Sequence, residues 1–188
     1  QILEGLGGNR DGYGTPQQLM AIAKQAAQAK LPTTVIDDLR TRLTQHFMHP
    51  QWGFKDPRTA VLWPLWRRLL PALGYQKIRP VLVVRDPSAC VQSLQRRGDV
   101  TAMADAAQVP LSSYIGAMWG AYYQVLLKSG LADMSPLVVC QEDLLCPDTA
   151  PIELARMAKH IGVDLEHVDE ALDWVDVRLD HRAAEVGE

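Results

Sequence analysis

The sequence predicts an α/β fold, a parallel sheet flanked by helices in three layers, and three observations carry that prediction. Two short apolar runs, PVLVV (80–84) and LVVC (137–140), have the length and β-branched content of parallel strands buried on both faces. Segments of helical periodicity alternate with them, which is the pattern of a parallel sheet with crossover helices. Charged residues gather at the carboxyl ends of the strands, where ligands bind in such sheets. These are Arg85-Asp86, Glu142-Asp143, and Lys55-Asp56 at the end of a shorter strand-like piece, WGFK (52–55).

After the glycine-rich opening GLGGNRDGYG, Thr15-Pro16 reads as an N-cap with proline at the first helical position. Leu19, Ile22, Ala23 and Ala26 recur at helical spacing until Pro32, and Val35, Ile36, Leu39, Leu43 and Phe47 mark a second helix ending near His49-Pro50. Residues 1–50 are thus a helical region, either a cap over a substrate cleft or plain packing. Asp56-Pro57 breaks the WGFK strand, and a Leu- and Trp-rich helix runs on to about residue 70, with Pro64 in its first turn or kinking it. Beyond the strand at 80–84, Asp86-Pro87 supplies an N-cap and a first-turn proline for a helix over 87–97. Ile115, Met118, Trp119, Tyr122, Val125 and Leu126 form the apolar face of a helix over 111–129, stopped by Gly130. The strand at 137–140 leads into a turn-like QEDLLCPD, helices near 151–161 and 166–175, and a polar ending, RLDHRAAEVGE. There are no repeats and no linker, so residues 1–188 read as one domain, with 51–188 as its nucleotide-binding core.

Composition narrows the function classes. The chain has 188 residues, 47% of them apolar, and a net charge of -3, the profile of an ordinary globular domain. No apolar run approaches the roughly 20 residues that span a bilayer, and no signal peptide is visible. The weak acidity excludes a general nucleic-acid binder, which carries a basic excess, but leaves room for a local basic pocket. The three cysteines show no metal-site spacing. They read as reduced thiols of a cytoplasmic protein, with Cys90 and Cys140 in the core. His160 and His167 read as solvated helix residues, and Trp52, Trp63 and Trp66 as core rather than a stacking platform.

Arg85 leaves an apolar strand beside the amino terminus of the next helix, where backbone N–H groups and the helix dipole attract anions and a guanidinium adds a donor fork. Ser93, eight residues on, presents a hydroxyl about two turns into that helix. The plainer alternative is that Arg85 pairs with a carboxylate such as Asp86 and Ser93 is an ordinary helix serine. Lys55-Asp56-Pro57-Arg58 delivers three charges within four residues. Lys55 suits charge developing on a bridging oxygen, and Asp56 suits taking a proton from an acceptor. The alternative there is a salt-bridged turn whose charges satisfy each other.

In order along the chain, WGFKDPRTAVLWPLWRRLLP, PVLVVRDPSACVQSLQRRG, MWGAYYQVLL, VVCQEDLLCPD and RLDHR resemble bacterial members of the sulfotransferase family, whose donor is 3′-phosphoadenosine 5′-phosphosulfate (PAPS). The resemblance covers most of the chain from Trp52 onward, with Gln141 standing where the family usually has tyrosine. It implies a P-loop NTPase-like sulfotransferase core that moves a sulfuryl group from PAPS to a hydroxyl or amine of a small-molecule, lipid or carbohydrate acceptor, with adenosine 3′,5′-bisphosphate as product and no metal. It implies further that Arg85 and Ser93 hold the donor's 3′-phosphate with Arg58, His181 and Arg182 assisting, and that Lys55 sits near the sulfuryl group. Asp56 is the candidate base, with His49 second. The family's 5′-phosphosulfate loop is not legible: GLGGNRDGYG follows no strand and precedes no Lys-Ser/Thr pair. The expectation is that this loop lies upstream of Gln1 or has been lost. The rivals are a P-loop kinase-like phosphotransferase, whose Gly-Lys-Ser/Thr motif is absent, and a non-catalytic binding module of the same fold.

Overall fold

A computed structural model of the protein describes residues 14–46, 51–98 and 100–175. Its elements are α1 (Pro16–Gln28), α2 (Thr33–His46), α3 (Thr59–Ala72), β1 (Val81–Val84), α4 (Pro87–Arg97), α5 (Thr101–Ala106), α6 (Leu111–Lys128), a 3₁₀ turn (Ala132–Met134), β2 (Leu137–Cys140), α7 (Gln141–Leu145), α8 (Ala150–Ile161) and α9 (His167–Leu172). The arrangement is α/β-like: mostly helical, with a two-stranded parallel sheet. The chain forms two compact units. One takes the described residues through Ile78 together with Met103–Leu131, and the other takes Arg79–Ala102 and the described residues from Ala132 onward.

The first unit is built on α1, α3 and α6. Thr15 starts α1 with a reciprocal capping box, its Oγ1 accepting from Gln18 N–H (3.2 Å) while Gln18 Oε1 accepts from Thr15 N–H (2.8 Å). The helix then buries Leu19, Ile22, Ala23 and Ala26, the residues of its apolar stripe, against α3 and α6. The α3 helix carries Pro64 and Pro71 in its interior, each removing a backbone donor at a cost of about 3 kcal/mol in an ordinary helix. Burial of Val61, Leu62, Trp63, Leu65, Leu69 and Leu70, at roughly 1.5–3 kcal/mol for each large side chain, outweighs that cost. The exposed face of α3 also serves its neighbours' ends. Arg68 Nη2 donates to the Ala29 carbonyl at the end of α1 (2.6 Å), and Arg67 Nη1 to the Ser129 carbonyl at the end of α6 (3.2 Å). Both carbonyls lack intrahelical partners and lie at the negative ends of helix dipoles, so a guanidinium suits them.

In the second unit β1 and β2 pair in parallel, in the register Val81↔Leu137 to Val84↔Cys140. The expected burial on both faces is not met. Val139 is 1% exposed, but Val83 and Val138 are 48% and 46% exposed. The reason is that the sheet has two strands among the described residues, with α7 and α8 packing against β2, so helices do not cover it throughout. The helix α4 spans 87–97, starting where its Asp86-Pro87 signal predicts, and Gly98 ends it at φ 70. The turn-like QEDLLCPD instead begins with the short helix α7. Gly162 closes α8 at φ 78, its N–H bonding the Ala158 carbonyl (2.8 Å). A pair of hydrogen bonds ties this helix end to the start of β1. Arg79 Nη1 donates to the His160 carbonyl (2.9 Å), and His160 Nε2 lies 3.0 Å from the Pro80 carbonyl, so its Nε2–H tautomer donates there. His160 is therefore half-buried and structural, not solvated.

Candidate functional site

Residues 52–56 belong to no strand, which corrects the strand expected over WGFK. The segment is held by aromatic packing instead of a ladder. Trp52 stacks on Phe54 (6.0 Å) and meets Tyr75 edge-on (5.0 Å), while Phe54 tilts against Trp66 (5.2 Å). Of the three tryptophans expected in the core, Trp63 is buried and Trp52 and Trp66 are half-buried. Lys55 follows, exposed, with its ammonium in no ion pair among the described residues.

Asp56 is differently placed. Its carboxylate accepts from the Arg58 backbone N–H (2.8 Å) and from Arg58 Nε at 2.8 and 3.0 Å, with a further short contact from Nη2. This is the salt-bridged turn foreseen as the alternative, and it brings the chain into the first turn of α3. The hydrogen-bonded Arg58 side chain holds the Asp56 carboxyl below its ordinary value of 3.8, outweighing the opposing effect of partial burial; the Arg58 N–H and the charges of Arg58 and Lys55 act in the same direction. A carboxylate so stabilised is a weaker base than a free one.

Arg85 and Ser93 belong to the second unit. Arg85 follows the last paired residue of β1, is half-buried, and its guanidinium makes no ion pair or hydrogen bond among the described residues. Ser93 is half-buried on α4, about 9 Å along the axis from Pro87 at 1.5 Å per residue. The pairing of Arg85 with Asp86 foreseen as the plainer alternative does not form, because Asp86 has other work. Its Oδ1 accepts from Ser88 N–H (2.8 Å) and Ala89 N–H (3.1 Å), and from the Ser88 hydroxyl at short range. Pro87 has no N–H, and Cys90 N–H bonds the Asp86 carbonyl (3.0 Å). The backbone donors at the start of α4 are thereby satisfied internally, so anion attraction at this helix start falls to Arg85 and not to free N–H groups. The Asp86 N–H in turn donates to Glu142 Oε1 at 3.0 Å, a contact across the carboxyl ends of the two strands. Reading the sequence placed Glu142 at a strand end but gave it no role. The signal lies in register: Asp86 and Glu142 each stand two residues past the paired Val84 and Cys140.

His181, Arg182 and the alternative base His49 lie outside the described residues. Cys90 is half-buried and Cys140 exposed, so neither is in the core; Cys140 ends a strand that has no further strand beside it among the described residues. The thiol of Cys146 is pushed below its ordinary value by the polar groups of Thr149 and the backbone N–H of Asp148 beside it, the Thr149 hydroxyl itself donating to the Asp143 carbonyl (2.7 Å). That of Cys140 is pushed up by desolvation and by the charges of Asp143 and Glu142. Among the described residues no group of His, Cys, Asp and Glu is arranged to hold a metal ion, and no helix is long and apolar enough to cross a membrane. Comparison with protein-family models, with curated proteins and with solved structures finds no match for this chain.

Proposed function

We propose that the chain is a sulfotransferase-type protein with a P-loop NTPase-like core, binding the 3′-phosphate of PAPS at Arg85 and moving its sulfuryl group to an acceptor hydroxyl or amine. The observation that carries this reading is Arg85 itself. It is a half-buried guanidinium at the carboxyl end of a parallel strand, without a partner among the described residues although a carboxylate follows it directly. The ordered resemblance of the flanking segments to the sulfotransferase family specifies which anion it would take. The three cysteines are free thiols, which fits a cytoplasmic protein.

In this reading Arg85 and Ser93 hold the 3′-phosphate; Lys55 and Asp56 belong to the other unit, and the part of Lys55, positive charge for the departing oxygen, rests on the resemblance alone. Transfer is in line, so positioning and cationic stabilisation supply most of the rate. Asp56 is the candidate to take the acceptor's proton, at reduced basicity while Arg58 holds it. That fork favours a second reading, in which residues 55–58 are a structural turn and the chain is a binding module that keeps the nucleotide site without the transfer.

The test is calorimetric titration with adenosine 3′,5′-bisphosphate and, separately, with ATP. The bisphosphate is expected to bind in preference to ATP, and Arg85→Ala to weaken it by about 2 kcal/mol, roughly 30-fold, through loss of a charge-assisted fork. The unfolding midpoint of Arg85→Ala should match the wild type, since Arg85 has no partner to lose among the described residues. Equal affinity of the two proteins refutes the site, tighter binding of ATP favours the phosphotransferase, and no binding of either refutes the reading. Binding without sulfuryl transfer to any acceptor supports the module.

A further inference from the structure

We infer that Glu142 is a positioning residue for the Arg85 anion site, holding the backbone that aims the guanidinium; this rests on the reading above. Glu142 Oε1 accepts from the Asp86 N–H at 3.0 Å, joining chain segments 56 residues apart. The Asp86 N–H lies in the same peptide plane as the Arg85 carbonyl, and that plane is rigid. Fixing its N–H therefore fixes ψ of Arg85. On the other side, Val84 is held by pairing with Cys140. Beyond the plane, the Asp86 carboxylate is tied to the N–H groups of Ser88 and Ala89. The backbone at Arg85 is thus set from both directions while its side chain has no partner among the described residues, which is preorganisation of a binding group.

The chemistry of Glu142 makes this separable from simple electrostatics. A carboxylate beside an anion site repels the anion, so charge alone predicts that any neutral replacement tightens binding. Positioning predicts a split. Glu142→Gln keeps an oxygen acceptor for the Asp86 N–H and loses the charge, whereas Glu142→Ala loses both and leaves that N–H without its partner.

The experiment titrates adenosine 3′,5′-bisphosphate into the wild type, Glu142→Gln, Glu142→Ala and Arg85→Ala, and follows hydrogen exchange of the Asp86 amide. Glu142→Gln is expected to bind at least as tightly as the wild type and to keep the Asp86 amide protected. Glu142→Ala should bind about tenfold more weakly, the scale of one lost hydrogen bond to a charged group, with faster amide exchange. Wild-type affinity in Glu142→Ala, while Arg85→Ala has lost binding, overturns the positioning role and leaves the nucleotide site standing. Loss of binding in Glu142→Gln with its amide still protected overturns it as well. Failure of the wild type to bind the bisphosphate overturns the site and this role together.

Discussion

Replacing Gly162 with alanine tests how the strand that bears Arg85 is anchored. Gly162 follows α8 with φ 78, a left-handed conformation that costs an L-residue about 1–2 kcal/mol. The added methyl would also collide with Arg79 Nη1. That nitrogen is the far end of a flexible side chain, so it would move, and in moving release the His160 carbonyl it bonds at 2.9 Å. A hydrogen bond from a charged donor is worth about 1.5–3 kcal/mol, but Arg79 is exposed, so about 1 kcal/mol is the better figure here. The sum predicts a loss of about 2–3 kcal/mol for Gly162→Ala, read from urea unfolding followed by circular dichroism, with the slope checked for constancy.

Arg79→Ala separates the two components. In that background the collision has no target and the carbonyl is already released, so Gly162→Ala should cost only the backbone strain, about 1–2 kcal/mol. The double-mutant cycle should therefore show a coupling of about 1 kcal/mol. Equal costs in the two backgrounds would show that Arg79 does not stand over Gly162. A cost below about 0.5 kcal/mol in the wild-type background would refute the left-handed closure of α8 itself.

Two further predictions concern titrating groups. Because the folded-state pKa of Asp56 is lowered, its fork with Arg58 contributes stability that is complete above 3.8 and is lost as pH falls from there through the lowered value. Unfolding free energies of the wild type and Asp56→Asn should thus differ by about 1 kcal/mol or less near neutrality and converge in acid; a gap that widens in acid contradicts the fork. Of Cys146 and Cys140, Cys146 should react first with iodoacetamide near neutral pH and Cys140 more slowly despite its exposure, as read by mass spectrometry. Thr149→Val should slow Cys146, and an unchanged rate would remove the hydroxyl as the cause.

What the sequence revealed was local and chemical. Thr15-Pro16 and Asp86-Pro87 start helices where their side chains cap and their prolines need no N–H, and Gly130 follows α6 at φ 73, where only glycine turns cheaply. The two apolar runs became strands in parallel. WGFK misled because alternating aromatics suit a strand and an aromatic cluster equally, and only a partner strand distinguishes them. Cys140 looked buried because a short apolar run does not say whether its neighbours will cover both faces. The pairings of Arg79 with His160 and of Asp86 with Glu142 were invisible, since each joins residues far apart in sequence and no spacing announces it.

The two charged elements that looked alike as sequence prove to be opposite in kind. Each is a basic residue beside Asp-Pro, and in each the proline turns the chain into a helix. In Asp56-Pro57-Arg58 the carboxylate has a cation two residues ahead, within reach of its own turn, and it captures that cation. In Arg85-Asp86-Pro87 the cation comes first, and the carboxylate faces forward to the N–H groups of Ser88 and Ala89 instead. The order of charge around the proline thus decides whether the turn's own carboxylate captures the arginine. Moving the cation is the direct trial of that rule. In the double variant Arg85→Ala with Ser88→Arg, the new guanidinium stands two residues beyond Asp86, as Arg58 does beyond Asp56, so it should be captured by the carboxylate and should not restore the bisphosphate binding proposed for Arg85.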